Sequence, residues 1–492
     1  MKISIGHFKA IEKLNDYDLK PLTIISGANS GGKSTLIQLL LVIKQTLENN
    51  LTSQKLILNK PYVSLGKYKD IVYEGKNKNN LSWGFNFFNE DIPQAVKSHL
   101  FFKKIEKGAI KKLEVQVKYE NNNSNLYIQE FFVNWKFEVK DFELFLHLKR
   151  ERGNKYSVVT NSALFFKEDY SQYLRQRVRP GAPIVFKNID GWKANISFNK
   201  FFPYESLPTS SDPDADYSDE FFSVLSNSFL EKVMTRYFSR VSYLGPLRDE
   251  PRSFYVNDDD TNLKIGNKGE YAAHILEQKA TSLVSFYKFK HYENGSIEYY
   301  DDKDTLESAV NYWICRVFKM ALRIKVNPIQ SGMMYRIEVL NDLGQKVPIN
   351  HVGFGVSQIL PIVVEGLISP SRSTLILEQP EIHLHPNVQS LLLDFIYSLV
   401  LSGKKVIVET HSDHFITRLR RRIAEGTLDA KKVNLTFIEN KEYKVLKFTE
   451  AGSLEYWPQD FFDQLDKDIR AIVKAQSMKK NVSMFSNFKG GN

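Results

Sequence analysis

The sequence is poor in several features that would fix its class at once. Cys315 is its only cysteine, so no disulfide can form within the chain, and a reducing, cytoplasmic setting is the expectation. No apolar run approaches the ~18 residues that span a bilayer, which points away from a membrane protein. The start, Met1-Lys2-Ile3-Ser4-Ile5, has strand character instead of the basic-then-apolar pattern of a signal peptide. Sustained heptads are missing, which argues against a long coiled-coil arm. Beyond about residue 415 there is no acidic cluster of the kind that a metal-dependent nuclease domain supplies. What remains is an ordinary globular composition, 42% hydrophobic and 25% charged.

Positive charge is in surplus. A net charge of +10 exceeds what a bound nucleotide alone would require, so an anionic partner such as DNA or RNA is expected alongside the plainer alternative of a basic surface. One glycine-rich stretch organises the rest: Gly27-Ala28-Asn29-Ser30-Gly31-Gly32-Lys33-Ser34-Thr35. The apolar run Leu22-Thr23-Ile24-Ile25-Ser26 precedes it and Leu36-Ile37-Gln38-Leu39-Leu40-Leu41 follows, which spells strand, turn and helix. The pattern is G-x-x-x-x-G-K-[ST]. Its glycines let backbone N–H groups crowd onto a phosphate, and the helix N-terminus adds its positive end. Gly27, Asn29, Ser30, Gly31, Gly32 and Thr35 would line the loop, Lys33 would reach the β- and γ-phosphates, and Ser34 would hold Mg²⁺.

Taken in order, residues 1–80 read as a first lobe. Strands Lys2–Phe8 and Leu22–Ser26 are joined by a polar connection through Asn15-Asp16-Tyr17-Asp18. Tyr62–Gly66 and Ile71-Val72-Tyr73 read as short extended pieces. Residues 81–240 read as a large inserted mixed α/β subdomain, with aromatic alternation from Leu81 to Phe88 and strand-like runs at Leu113–Tyr119, Phe131–Val139 and Phe142–Leu148. Basic clusters there (Lys103, Lys104, Lys107, Lys111 and Lys112; Lys149, Arg150, Arg152 and Lys155; Arg175, Arg177 and Arg179) suit partner contact or a solvated face equally. Tyr204–Asp219 reads as a loop. Residues 241–334 offer strand character over Val241–Pro246, ending in a turn, and a small helical insertion, with helices at Tyr271–Leu276 and Thr305–Leu322. Residues 335–450 form the second lobe, and 451–492 a short C-terminal element ending in a polar tail from Ser477.

The second lobe carries the rest of the chemistry. His351-Val352-Gly353-Phe354-Gly355-Val356-Ser357-Gln358 is a glycine-rich turn opening a helix. Thr374-Leu375-Ile376-Leu377-Glu378 is a buried strand ending in a carboxylate, the arrangement that presents an acidic group to Mg²⁺. Val406-Ile407-Val408-Glu409-Thr410-His411-Ser412 is another, bringing a histidine to the same sheet edge, within reach of a γ-phosphate. Arg418, Arg420, Arg421 and Arg422 crowd the following helix, and nucleic-acid contact is expected of them.

Phosphate loop, glycine-opened helix, acidic strand and strand-end histidine in this order resemble the ABC-type ATPase head, in the branch that holds RecF, the chromosome-maintenance (SMC) ATPases and the OLD-type defence ATPases. The runs Val352–Pro361, Leu377-Glu378-Gln379-Pro380-Glu381-Ile382-His383-Leu384-His385-Pro386 and Glu409–His414, with Tyr243-Leu244-Gly245-Pro246-Leu247-Arg248 and Trp457-Pro458-Gln459-Asp460-Phe461-Phe462-Asp463, narrow it. The chain looks like the AAA-family ATPases represented by the PtuA subunits of Septu anti-phage systems, including those in retron operons, which act with an HNH nuclease, PtuB. The specific motifs cover residues 1–80 and roughly 335–450. The resemblance implies an α/β fold, an ABC-type (RecF/SMC-like) P-loop ATPase head with a large mixed α/β insertion and a small helical one. It also implies a head-to-head dimer around two ATP molecules. Lys33, Ser34 and Glu378 would act on one nucleotide with Mg²⁺ held by Ser34 and Glu378. Gly355 and Ser357 would cap the nucleotide of the partner copy, and His411 would be the switch histidine. The implied partners are a second copy, an HNH nuclease, and DNA, RNA or a reverse transcriptase complex.

One position departs from that family. The residue after the magnesium carboxylate is usually a glutamate that polarises the attacking water, and here it is Gln379. A glutamine orients water but accepts no proton, so slow hydrolysis is expected, with Glu381 as a substitute if the loop turns inward. Two rivals stand beside this account. One is a RecF-like DNA-repair or chromosome ATPase that clamps DNA without an effector. The other is a metal hydrolase built on Glu381, His383, His385, His411 and His414.

Overall fold

The computed structural model describes residues 1–28, 31–50, 56–75, 80–97, 110–122, 125–138, 143–160, 189–208, 229–256, 264–293, 295–329, 334–458 and 467–476. Asn29 and Ser30, the cluster Lys103–Lys107, the three arginines from Arg175 to Arg179, residues 209–219, 459–463 and the tail from Ser477 lie outside them.

The architecture is α/β, built on two large sheets, with a four-stranded and a two-stranded sheet beside them among the described residues. The central six-stranded sheet runs Val241–Leu244, Thr374–Glu378, Lys405–Glu409, Leu22–Gly27, Val433–Glu439 and Glu442–Leu446, all parallel except the last. Its inner strands are apolar at successive positions because each face has its own core. Ile25, Ile376, Ile407 and Ile438 point into one, while Ile24, Leu375, Leu377, Val406, Val408 and Leu435 point into the other. Period-two side-chain alternation with both faces covered is what a continuous Val/Ile/Leu run encodes in a parallel strand. The first core holds the helix Lys33–Glu48 and the inner face of a second, antiparallel sheet of nine strands. The second core takes the helices Phe354–Ile368, Pro386–Leu401 and Asp413–Ala424.

The nine-stranded sheet corrects several expectations. The supposed polar connection Ile11–Asp18 is a strand, pairing antiparallel with Lys2–Phe8. It sits at the sheet edge and buries only Ile11 and Tyr17, so its polar face hid it. The strands from Ser82 to Pro208 continue the sheet that this N-terminal hairpin begins, through Ser82–Phe88 against Lys2–Phe8. Residues 204–208, expected as loop, close its far edge. The extended pieces expected at Tyr62–Gly66 and Ile71–Tyr73 are reduced to isolated antiparallel bridges, Ser64 to Asn59 and Val72 to Phe8, beside the short helical turns Tyr68–Ile71 and Tyr73–Gly75. The helix expected at Thr305–Leu322 is capped by Thr305, runs Leu306–Asn311 and widens into π-type turns at Tyr312–Val317, which seat the buried Trp313 against Phe289, Phe318 and Phe395. Two antiparallel strands, Leu283–His291 and Ile297–Thr305, precede it.

The arginine-rich helix turns inward. Arg422 is 2% exposed and forks onto Asp394, Nε to Oδ1 at 2.7 Å and Nη2 to Oδ2 at 3.0 Å. Arg418 Nε lies 3.5 Å from the same carboxylate. Arg421 pairs with Glu425 at 2.6 Å and donates to the Gly295 carbonyl. Arg420 donates to the Gly452 carbonyl and covers the Trp457 ring. These side chains tie the helix to its neighbours: Arg422 is withdrawn from the surface, while Arg421 stays half exposed.

Lys404 is a liability of this core. It is 4% exposed, and burial pushes its ammonium down to about 8, partly offset by Glu365. A folded-state value below the unfolded one means that burying the charged form costs most below pH 8, and that the cost fades as pH rises towards the unfolded value. Lys404→Met is therefore expected to raise Tm at pH 7 by about 1 °C per kcal/mol recovered, with a smaller gain at pH 9.5. Differential scanning fluorimetry at the two pH values checks it.

Candidate nucleotide site

The phosphate loop grows from the strand Leu22–Gly27 and ends where Lys33 opens its helix. Two glycines are required by geometry. Gly27 has φ +147°, and a Cβ there would lie 2.4 Å from the Ile438 carbonyl oxygen. Gly32 has φ +97°, and its Cβ would meet that of Ala10 at 2.6 Å. The Tyr443 hydroxyl donates to the Gly32 carbonyl at 2.8 Å, fixing the loop from the last strand of the sheet. Lys33 Nζ donates to the carbonyls of Gly27 (3.1 Å) and Ala28 (2.7 Å).

A cavity of roughly 590 Å³ opens on this loop, lined by Lys9, Gly32, Lys33, Ser34, Thr35, Gln38, Gln379, Glu409, His411 and Lys441 among others. Strand order explains the company. Lys405–Glu409 lies directly beside the loop strand, with Glu409 level with Ile25. Thr374–Glu378 lies one strand further out, with Glu378 level with Glu409. Ser34 Oγ donates to Glu409 Oε1 at 3.1 Å, and Glu409 Oε2 is buried without a hydrogen-bond partner. Gln379 follows the acidic strand in a left-handed conformation, φ +43°. Its N–H donates to the Glu409 carbonyl at 2.8 Å, and its own carbonyl accepts from Arg248 Nη1 at 3.2 Å. Arg248 Nη2 donates to the Glu378 carbonyl at 3.1 Å, so one buried guanidinium clamps the whole turn.

Charge is held here at a cost. Burial pushes Glu378 up to about 7, with Glu409 adding to the rise against the Tyr243 hydrogen bond. Burial likewise raises Glu381 and Glu409 and lowers Arg248 to about 10. Lys33 is lowered by burial, and His411 by burial and then by Lys33. The site stores carboxylates and lysines that a charged ligand would relieve.

The cradle, the helix N-terminus, three lysines and an orphaned carboxylate oxygen fit a nucleoside triphosphate with Mg²⁺. Lys33 would hold its phosphates; Ser34 and a strand-end carboxylate would face the ion, which neutralises phosphate charge. Of the sequence candidates, Gly32, Lys33, Ser34, Thr35, Gln379 and His411 meet in this cavity. Glu381 does not line it: its Oε1 accepts from the His411 N–H at 2.6 Å and so positions the histidine instead of facing the ligand. Gly355 and Ser357 also stand away from it. Gly355 packs by Met320 and the His383 carbonyl, and Ser357 Oγ donates to the Phe354 carbonyl at 2.7 Å. Among the described residues no three His, Cys, Asp or Glu side chains converge on a metal cage, and His383, His385, His411 and His414 form none. Nor is any described helix long and apolar enough to cross a membrane.

Sequence reasoning passed over Glu409, Tyr443, Arg248, Lys9 and Lys441 as site residues. A signal for Glu409 was there, since Val-Ile-Val-Glu ends a buried strand just as Leu-Ile-Leu-Glu does. The other four depend on which strands and loops become neighbours.

A search of curated protein sequences finds no significant match. Solved structures that match include the SMC head bound to the C-winged helix domain of ScpA, 9% identical over 91% of this chain and 97% of that one, TM-score 0.39. They also include the SMC head domain of Thermotoga maritima (10%, 91% and 98%, TM-score 0.32). A third is the Smc head with an extended coiled coil bound to a ScpA domain derived from Pyrococcus furiosus (10%, 96% and 98%, TM-score 0.36). Such TM-scores add nothing to the fold described above. Residues 428–472 match a family described as a protein of unknown function, DUF3696. Residues 1–416, which contain the loop, the acidic strand and His411, match the AAA ATPase domain family designated AAA_15, and the chain belongs to that family.

Proposed function

We propose that this ATPase is a slowly hydrolysing ATP switch that pairs head to head around two nucleotides and regulates a partner nuclease in anti-phage defence, as in the Septu and retron-type systems it resembles. The observation that carries the pairing is the division of the site. Lys33, Ser34, Gln379 and His411 share one cavity, whereas Gly355 and Ser357 sit elsewhere, at the start of the helix Phe354–Ile368. That helix start carries a half-exposed Phe354 beside His383 and would meet the nucleotide of a second copy. Binding energy from ATP would then hold the dimer, and hydrolysis would release it. Gln379 supports the slow rate, because an amide cannot take the proton of the attacking water.

Three measurements test this. Light scattering on the full chain is expected to show a dimer with ATP and Mg²⁺ and a smaller species without; one mass under both conditions would overturn the pairing. Gln379→Glu is expected to raise ATP turnover by roughly 100-fold, the scale of a restored general base; an unchanged rate would remove Gln379 as the cause of slow hydrolysis. For the effector, tagged protein from its native operon should bring down an HNH nuclease.

A further inference from the structure

We propose that a second cavity, beside the strand Met334–Leu340 and apart from the phosphate loop, binds a nucleobase, which stacks on aromatic rings and is hydrogen-bonded by His274. This goes beyond the ATPase reading and does not depend on it, because the two cavities share no lining residue among the described ones.

An unmet need is the first argument. His274 lies on the helix Ala272–Lys279 and is 2% exposed, yet neither of its ring nitrogens has a hydrogen-bond partner. Among the described residues it is the one side chain with two buried polar atoms left in that state. A neutral imidazole carries one donor and one acceptor, and leaving both unpaired out of water is costly. The ring lines a cavity of roughly 360 Å³, where a ligand offering an acceptor and a donor would satisfy it. The second argument is the shape of the walls. Tyr255 and Tyr335 are cross-strand partners whose rings lie within 9° of parallel, centroids 5.6 Å apart. The His274 ring stands 5.9 Å from that of Tyr335, and Phe254 and Tyr271 add exposed aromatic side chains to the same lining. Flat rings gathered around a donor and an acceptor suit a flat heteroaromatic ligand, and every base has a face to stack. Charge is the third argument. Glu270 precedes His274 by four residues and lines the same cavity, its Oε2 accepting from the Lys268 N–H at 2.9 Å. A carboxylate accepts from the amino edge of a base. Arg252, exposed and paired with Asp249 at 3.1 Å, also lines the cavity and would meet a phosphate carried by the base. The aromatic side chain of a phenylalanine or leucine-rich peptide would answer the walls but neither His274 nor Glu270.

The experiment uses the full chain and 2-aminopurine, whose fluorescence falls when it stacks, presented as the free riboside and within a single-stranded oligonucleotide. Saturable quenching of the riboside would assign the cavity to free nucleosides or nucleotides. Quenching of the oligonucleotide alone would assign it to single-stranded nucleic acid, and either result supports the proposal. His274→Phe, which keeps a ring and removes both nitrogens, is expected to weaken the quenched complex roughly 10-fold. Its Tm should be unchanged or higher, and its affinity for the fluorescent nucleotide MANT-ATP unchanged. Tyr271→Ala, at an exposed position, serves if that variant does not fold, and is expected to cost a similar factor through lost stacking. Lys33→Ala should bind the 2-aminopurine probe as wild type does. No quenching of either probe, quenching that both cavity variants retain in full, or quenching lost in Lys33→Ala would overturn the proposal.

Discussion

Lys33→Ala is expected to lower the affinity of the full chain for MANT-ATP by at least about 100-fold, some 2.7 kcal/mol, while leaving the protein folded. The size follows from what the ammonium does. It is 5% exposed and donates to two loop carbonyls, bonds that an arriving phosphate would replace with charge-assisted ones worth about 1.5–3 kcal/mol each. Burial already depresses its protonation, so the loop pays a desolvation penalty that only an anion returns. Removing the side chain from the nucleotide-free protein is therefore expected to leave Tm unchanged or slightly higher. The contrast lies in ligand-induced stabilisation. At ATP about 100-fold above the wild-type Kd, binding adds about 2.7 kcal/mol and Tm rises; in Lys33→Ala that rise should vanish. Lys33→Arg should recover little, because the longer, planar guanidinium does not fit where an ammonium sits against Gly27 and Ala28. An alanine variant whose Tm still climbed with ATP would place the triphosphate elsewhere.

Why that loop could be read from sequence, and Glu409 could not, is a matter of range. Gly27 to Thr35 are contiguous, and each part of their function is local: a positive φ at Gly32, a helix start at Lys33, a hydroxyl at Ser34. The acidic strand was legible for the same reason, as five apolar-to-acidic residues. Which strand lies next to the loop is not written in any window. Leu22–Gly27 pairs with Lys405–Glu409, almost four hundred residues away, and only that pairing brings Glu409 under Ser34. The edge strand Ile11–Asp18 was lost to its polar face, and the nine-stranded sheet with it. Its partner Lys2–Phe8 takes its other neighbour from Ser82–Phe88, which gathers the middle of the chain onto the first strands. The arginine helix is another case. Its charges were visible and their partner was not, because Asp394 belongs to the preceding helix and is buried completely.

That buried partner sets the largest stability effect. Asp394→Ala is expected to destabilise the protein by about 3–5 kcal/mol, the cost of stripping one member from a buried ion pair. Asp394 is 0% exposed, and its two oxygens accept from Arg422 Nε and Nη2, with Arg418 Nε 3.5 Å away. Against the desolvation that burial imposes, Asp394 and Glu425 hold Arg422 firmly protonated, so the alanine variant keeps a cation that is 2% exposed with Glu425 as its remaining charge partner. Asp394→Asn preserves shape and should cost less, whereas Asp394→Leu combined with Arg422→Met removes both charges and should recover most of the loss. The same pair bears on the nucleotide site. The helix Asp413–Ala424 begins at Ser412, directly after His411; Ser412 caps it by accepting from the Phe415 N–H and donates to Gln389 on the helix that carries Asp394. Loosening the arginine contacts should therefore weaken nucleotide affinity as well as lower Tm, whereas the Leu/Met pair should restore both. If Asp394→Ala left Tm and nucleotide affinity unchanged and instead abolished a salt-sensitive binding of nucleic acid, the four arginines would take the role that their density on one helix suggests.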